Sequence, residues 1–116
     1  MSASTQLGLA LVLAALAAPA TAGELPAGDP DHGKAVYEGT CVACHGPEGH
    51  GSVPGAPDFA DADAIFAQKR QTLLTNMAEG LRRPGSPMGM PPRGGDDSLT
   101  DQDLLDALAY IRQALR

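Results

Sequence analysis

Five residues, Cys41-Val42-Ala43-Cys44-His45, constrain this chain more than anything else in it. Two thiols three residues apart, followed directly by a histidine, make the C-x-x-C-H pattern of covalent haem attachment. Each thiol can add across a haem vinyl group and leave a thioether bond. The adjacent His45 then stands where a neutral imidazole nitrogen is a good iron ligand. Two neighbouring attachment points would fix the porphyrin before His45 reaches the metal. The rival readings are weaker. A thioredoxin-like redox pair sits near a strand–helix pattern, and no strand pattern precedes Cys41. A zinc site needs two more ligands, yet there is no third cysteine and the other histidines are only His32 and His50. A disulfide between Cys41 and Cys44 would close a very small loop and stabilise little.

The chain begins with an apolar run, Leu7 to Ala18, about as long as a signal-peptide core and too short for a comfortable membrane span. Small residues at Ala20-Thr21-Ala22 supply a cleavage site before Gly23. Residues 1–22 therefore read as an export signal and 23–116 as one small domain. Because Met1 to Gln6 carries no Lys or Arg, a retained anchor formed by Leu7 to Ala22 is the alternative. The domain holds two Phe, two Tyr and no Trp. So few aromatics make a marginal core, and a haem would supply the missing apolar bulk. Net charge is −6, all of it after residue 23. Nucleic acid is an unsuitable partner. A basic patch on a protein partner would complement the charge, unless the charge serves only solubility.

The rest of the domain reads as helices and long loops. Glu24 to Gly28 is expected to be a short flexible lead. Asp29 can cap a helix, with Pro30 at its first position, running to about Glu38 and stopping at Gly39. Gly33 and Tyr37 share one face of it. Gly33 either lets another backbone come close or is a tolerated glycine in a frayed turn. Gly46 to Asp58 is a Gly- and Pro-rich loop. From about Asp61 to Glu79, Phe66, Leu73, Leu74, Met77 and Leu81 recur near a helical period, with a break expected at Gln68-Lys69-Arg70-Gln71 and a stop at Gly80. Gly85 to Gly95 is again loop. Thr100 can cap a last helix in which Asp103 completes the cap, Leu99 staples to Leu104, and Leu104, Leu108, Ile111 and Leu115 form one stripe. Its acidic first turn and basic last turn suit the helix dipole. The expected class is all-α, three to four helices with long loops around one covalently bound haem.

Iron held by His45 has a second axial position, and a thioether there suits electron transfer. Met1 belongs to the leader and Met77 to a helix face, where packing is its usual role. Met88 and Met90 lie in the stiff run Ser86-Pro87-Met88-Gly89-Met90-Pro91-Pro92. Met90 is favoured, because the two prolines after it hold the backbone extended. Met88, or an open or histidine-ligated iron, are the alternatives. His50 is too near His45 to reach the far haem face, and His32 reads as an exposed helix residue.

With these pieces placed, the chain resembles a class I cytochrome c of the short bacterial monohaem type over nearly all of its domain. The resemblance rests on Gly33, Tyr37, the Cys41 to His45 motif, Pro57, the Met90-Pro91-Pro92 loop and the helix containing Tyr110. It implies haem c on Cys41 and Cys44, iron between His45 and Met90, and a Pro57 carbonyl that accepts a hydrogen bond from the His45 ring. It implies that Gly33 and Tyr37 meet Ala107 and Tyr110. It also implies export to the periplasm, where c-type haem is attached, and single-electron transfer between redox protein partners. A haem subunit of a larger oxidoreductase and an open-site sensor are the other functions in view.

Overall fold

Asp29 starts the first helix. Its carboxylate accepts from the backbone N–H of Asp31 at 2.9 Å and of His32 at 3.4 Å, and Pro30 occupies the first turn, where no N–H is needed. Helix α1, Pro30–Val36, does not stop at Gly39 as expected. The chain widens into a π-helical stretch, Tyr37–Cys41, and returns to α-helix in α2, Val42–His45. A glycine ends a helix when its backbone takes positive φ. Gly39 keeps helical backbone, whereas Gly46, at φ +80°, makes the turn. The π stretch bonds i to i+5, so it rotates Cys41, Cys44 and His45 relative to the face of α1.

The computed structural model describes residues 1, 3, 8, 10–16 and 24–116. Ala20-Thr21-Ala22, Gly23 and part of the Leu7 to Ala18 run lie outside the described residues. No described helix is long and apolar enough to cross a membrane, and no strand is formed among the described residues. After α2 come a 3-10 turn, Phe59–Asp61, a short helix α3, Asp63–Phe66, and α4, Arg70–Glu79; the gap at 67–69 falls at the front of the expected break. Gly80 ends α4 at φ +83°. Pro92–Gly95 forms a 3-10 turn inside the stretch expected to be loop. Helix α5, Asp101–Ala114, has the full capping box. The Thr100 hydroxyl accepts from the Asp103 N–H at 3.1 Å, and the Asp103 carboxylate accepts from the Thr100 N–H at 2.9 Å.

Two apolar clusters hold these elements together. One gathers Tyr37, Phe59, Phe66, Leu73, Leu108 and Ile111, so three of the four aromatics lie fully in it and Tyr110 packs on its edge. The other joins Leu74, Leu104 and Leu105, with Leu99 against it as the expected staple. The buried face of α5 is broader than one stripe, because Leu105, Asp106 and Ala107 are also buried. Helix α1 crosses α5 at that face. A Cβ on Gly33 would collide with the Asp106 carbonyl and come within 2.9 Å of the Ala107 nitrogen. Tyr37 and Tyr110 meet at 5.4 Å between ring centres. The pairing of Gly33 and Tyr37 with Ala107 and Tyr110 is therefore present. Fully buried Tyr37 donates its hydroxyl to the Gly46 carbonyl at 2.6 Å. Burial pushes its pKa up to about 12, so it stays a neutral donor.

The segment Glu24 to Gly28 is not a loose lead. Leu25 packs on the second cluster, Arg70 donates to the Leu25 and Pro26 carbonyls, and Gln102 donates to the Ala27 carbonyl at 3.0 Å. His32 is likewise more than an exposed residue. Half-exposed, its Nδ1 lies 2.7 Å from the buried carboxylate of Asp106, which also accepts from the Asp29 N–H and the Gln102 amide, each at 2.8 Å. The bond to Asp106 raises the His32 pKa. Burial alone would raise Asp106, but these hydrogen bonds hold it below the ordinary carboxylate range. The raised His32 contributes fully below the ordinary imidazole value and fades as pH rises through its own. The lowered Asp106 contributes fully above the ordinary carboxylate value and fades as pH falls. The stability gap between wild type and His32→Gln, read from denaturant unfolding of the holo-protein, is therefore expected to be widest between the ordinary carboxylate and imidazole values, about pH 4 to 6.5, and to narrow as pH rises above that window. A gap that does not change with pH would refute the charged pair.

Candidate functional site

Cys41 closes the π stretch, α2 carries Cys44 and His45, and the following loop folds back to satisfy the last carbonyls of α2. Gly51 N–H donates to the His45 carbonyl and Ser52 N–H to the Cys44 carbonyl, both at 2.8 Å, while Phe59 N–H donates to the Gly49 carbonyl at 2.9 Å. The Gly46 to Asp58 loop is irregular, as expected, but tied down. Within it His50 Nδ1 stands 3.1 Å from the Asp58 carboxylate. His32 is engaged by Asp106, so His45 is the histidine left to face the interior.

All five expected site residues, Cys41, Cys44, His45, Pro57 and Met90, line one cleft, which has an empty volume of about 1240 Å³ counted out to its open mouth. Phe59, Phe66, Leu108 and Ile111 give it an apolar floor. Both thiols are free. Burial, and then the neighbouring Cys44, push the Cys41 pKa up to about 11, so this thiol is neutral. The His45 ring stacks on Phe59 at 4.9 Å and 19°. Burial lowers its pKa, which favours the neutral imidazole that ligates metals. His45 Nδ1 is buried with no hydrogen-bond partner among the described residues. The expected bond from this ring to the Pro57 carbonyl is thus not formed here: stacking on Phe59 sets the ring plane, and the Pro57 carbonyl lies against Gly51.

Three methionines reach the cleft, and their backbones differ. Met77 belongs to α4 and packs on both apolar clusters. Met88 is 47% exposed. Met90 is partly buried and paired in both directions with Leu81, donating its N–H at 2.8 Å and accepting at 3.0 Å. Gly80 makes this pairing possible, since a Cβ there would stand 2.7 Å from the Met90 carbonyl and 3.1 Å from the Pro92 ring. Pro91 is extended at φ −69°, ψ 156°. Beyond it Arg93, at φ 53°, donates to the Leu99 carbonyl at 3.0 Å and to Asp101 at 2.8 Å, clamping the methionine segment to the start of α5.

The cleft's donor set suits an iron porphyrin. It combines a broad apolar floor, two free thiols on one segment, a buried imidazole with an unpartnered nitrogen, and thioethers from separate segments. No carboxylate or hydroxyl–histidine pair among its lining residues offers a general base or an activated nucleophile.

Comparison with known proteins agrees with this geometry. The family described as Cytochrome c matches residues 30–115. Cytochrome c4 of Thiocapsa roseopersicina is 37% identical over 83 residues, covering 72% of this chain and 38% of that protein. Thiosulfate dehydrogenase of Allochromatium vinosum is 32% identical over 89 residues, 72% of this chain and 31% of the enzyme. Cytochrome c-555 of Prosthecochloris aestuarii is 35% identical over 86 residues, 69% of this chain and 82% of that protein. The chain thus spans about a third of the first two relatives and most of the third.

Proposed function

This chain belongs to the cytochrome c family, class I, and so carries covalently attached haem c; on that premise we propose that it is a periplasmic monohaem electron carrier whose iron is ligated by His45 and Met90. Residues 1–22 act as the export signal and 23–116 as the cytochrome domain. Haem iron supplies the one-electron step, cycling between Fe(III) and Fe(II). Cys41 and Cys44 hold the porphyrin by thioethers. His45 would hold the metal through one ring nitrogen, and the Pro57 carbonyl, in the same cleft, would be the acceptor for the other. Met90 completes the set. Its doubly bonded backbone beside Gly80 is the observation that carries this reading, because a weak thioether ligand needs a fixed support. With His45 and Met90 both committed to the iron, the protein would relay electrons and would not be a catalyst by itself. Its acidic surface suits donor and acceptor proteins with basic docking patches.

The likeness to part of a thiosulfate dehydrogenase favours one second reading, a haem subunit of a larger oxidoreductase. A subunit would co-purify with its enzyme, whereas a carrier would run as a free monomer.

The axial ligand is tested by optical spectra of the periplasmically produced protein. Wild type should show the weak far-red band of a thioether on ferric haem and should resist carbon monoxide in the reduced form. Met90→Ala should lose the band and bind carbon monoxide, while Met88→Ala should retain the wild-type behaviour. Loss in Met88→Ala alone would move the ligand to Met88. Prompt carbon monoxide binding by wild type would mean an open iron and a sensing role.

A further inference from the structure

Among the described residues, Arg83 brings the single charged side chain to a cleft otherwise lined by apolar and neutral polar residues. The chain's eight basic side chains are accounted for unevenly. Lys34, Arg93 and Arg116 form ion pairs, and Arg70 and Arg112 donate to backbone carbonyls. Lys69, Arg82 and Arg83 have no such partner among the described residues, and of these Arg83 alone lines the cleft. An unpaired guanidinium at the edge of an apolar cavity is matched to a ligand with an apolar body and an anionic rim. Haem has that form, since its macrocycle is apolar and its two propionates are carboxylates. A carboxylate drawn toward a low-dielectric cleft is costly without a cation, and a guanidinium offers a bidentate fit.

The position of Arg83 is built into the backbone. Arg83-Pro84-Gly85-Ser86 is a tight turn, with Ser86 N–H donating to the Arg83 carbonyl at 3.1 Å and Gly85 at φ +79°. The base of the same ribbon is the paired Leu81 and Met90. One short ribbon therefore carries both the proposed sulfur ligand and the cation. Arg82 faces elsewhere, its stem lying against Gly89, and it is absent from the cleft lining.

We propose that Arg83 is a positioning residue that pairs with a haem propionate and, by holding positive charge near the iron, raises its reduction potential. The inference rests on the haem reading above. A cation near the centre disfavours the more positive Fe(III) state, so removing it favours oxidation.

The test uses the intact holo-protein as wild type, Arg83→Gln, Arg83→Lys and Arg82→Gln, with potentials from spectroelectrochemical titration. Arg83→Gln should shift the Fe(III)/Fe(II) equilibrium toward Fe(III) by up to about tenfold, a fall of about 59 mV for one electron. Its far-red thioether band should survive, and its propionate bending band in resonance Raman spectra should move. Arg83→Lys should recover most of the potential. Arg82→Gln, which removes the same charge one residue away, should change the equilibrium less than about twofold. The proposal is overturned if Arg83→Gln keeps the wild-type potential or propionate band. It is also overturned if Arg82→Gln matches Arg83→Gln, or if the far-red band vanishes with the potential. Failure of the underlying reading looks different, because wild type itself would then lack covalent haem or the far-red band.

Discussion

Replacing Gly33 with alanine is expected to destabilise the holo-protein by about 3 kcal/mol or more, at the upper end for overpacking, because the added methyl meets backbone and not a yielding side chain. The colliding atoms are the carbonyl of Asp106 and the peptide nitrogen of Ala107, in the middle of α5. Relief requires α1 to withdraw from α5, which would also disturb Tyr37 on Tyr110 and the bonds from Asp29 and His32 to Asp106. Gly39 supplies the contrast, since no atom of the described residues lies within 4 Å of a Cβ placed there. Gly39→Ala should be neutral or stabilising by about 0.5–1 kcal/mol, as for other helical glycines without a packing role. Guanidinium unfolding of both variants, followed by the haem absorbance, measures the difference. Equal stabilities would show that the helix crossing tolerates a wider spacing than the structure has.

The double variant Cys41→Ala, Cys44→Ala is expected to abolish covalent haem and, with it, the folded state. The core offers few large side chains, and several of them, among them Phe59, Phe66, Leu73 and Leu108, also line the cleft. Without the macrocycle, the cleft they line would lose the apolar body that fills it. At roughly 25 cal/mol per Å² of apolar surface, forgoing a few hundred Å² of burial between haem and cleft removes several kcal/mol, comparable with the entire stability of a domain this size. Denaturing gels stained for haem should show no signal, and the purified chain should have low helicity by circular dichroism with no cooperative melt. A haem-free variant with native-like helicity and a sharp thermal transition would show that the protein core suffices alone.

Where local chemistry decides an outcome, the sequence disclosed it. Asp29 and Pro30, Thr100 with Asp103, and Gly80 act within a few residues of themselves, and each did what its side chain or backbone dictates. Cys41, Cys44 and His45 stand out in the sequence because attachment chemistry fixes their spacing, and the structure brings them to one cleft. The misses are long-range. Gly39 resembled a stop because a residue name does not give the sign of φ, which here depends on the π stretch and on Gly46. Glu24 to Gly28 read as loose because its anchors, Arg70 and Gln102, lie more than forty residues away in the chain. Nothing local marks Asp106 in the sequence, yet the crossing of α1 buries it and gives it three partners. The unpaired charge of Arg83 became visible only when the partners of the other cations were known. In each case the missing information was which distant group stands opposite.

The pairing of Leu81 with Met90 has a consequence for how this protein can change. A segment whose two ends are fastened to each other transmits little of what happens between them. The eight residues from Arg82 to Gly89 can be shortened, extended or rewritten while the carbonyl and N–H of Met90 stay where Leu81 holds them. The intervening rim is thus an interchangeable part, and the proposed sulfur donor is a fixture. Variation there would retune potential and partner choice separately from the ligand set, so related chains could serve different electron routes without rebuilding the iron's surroundings.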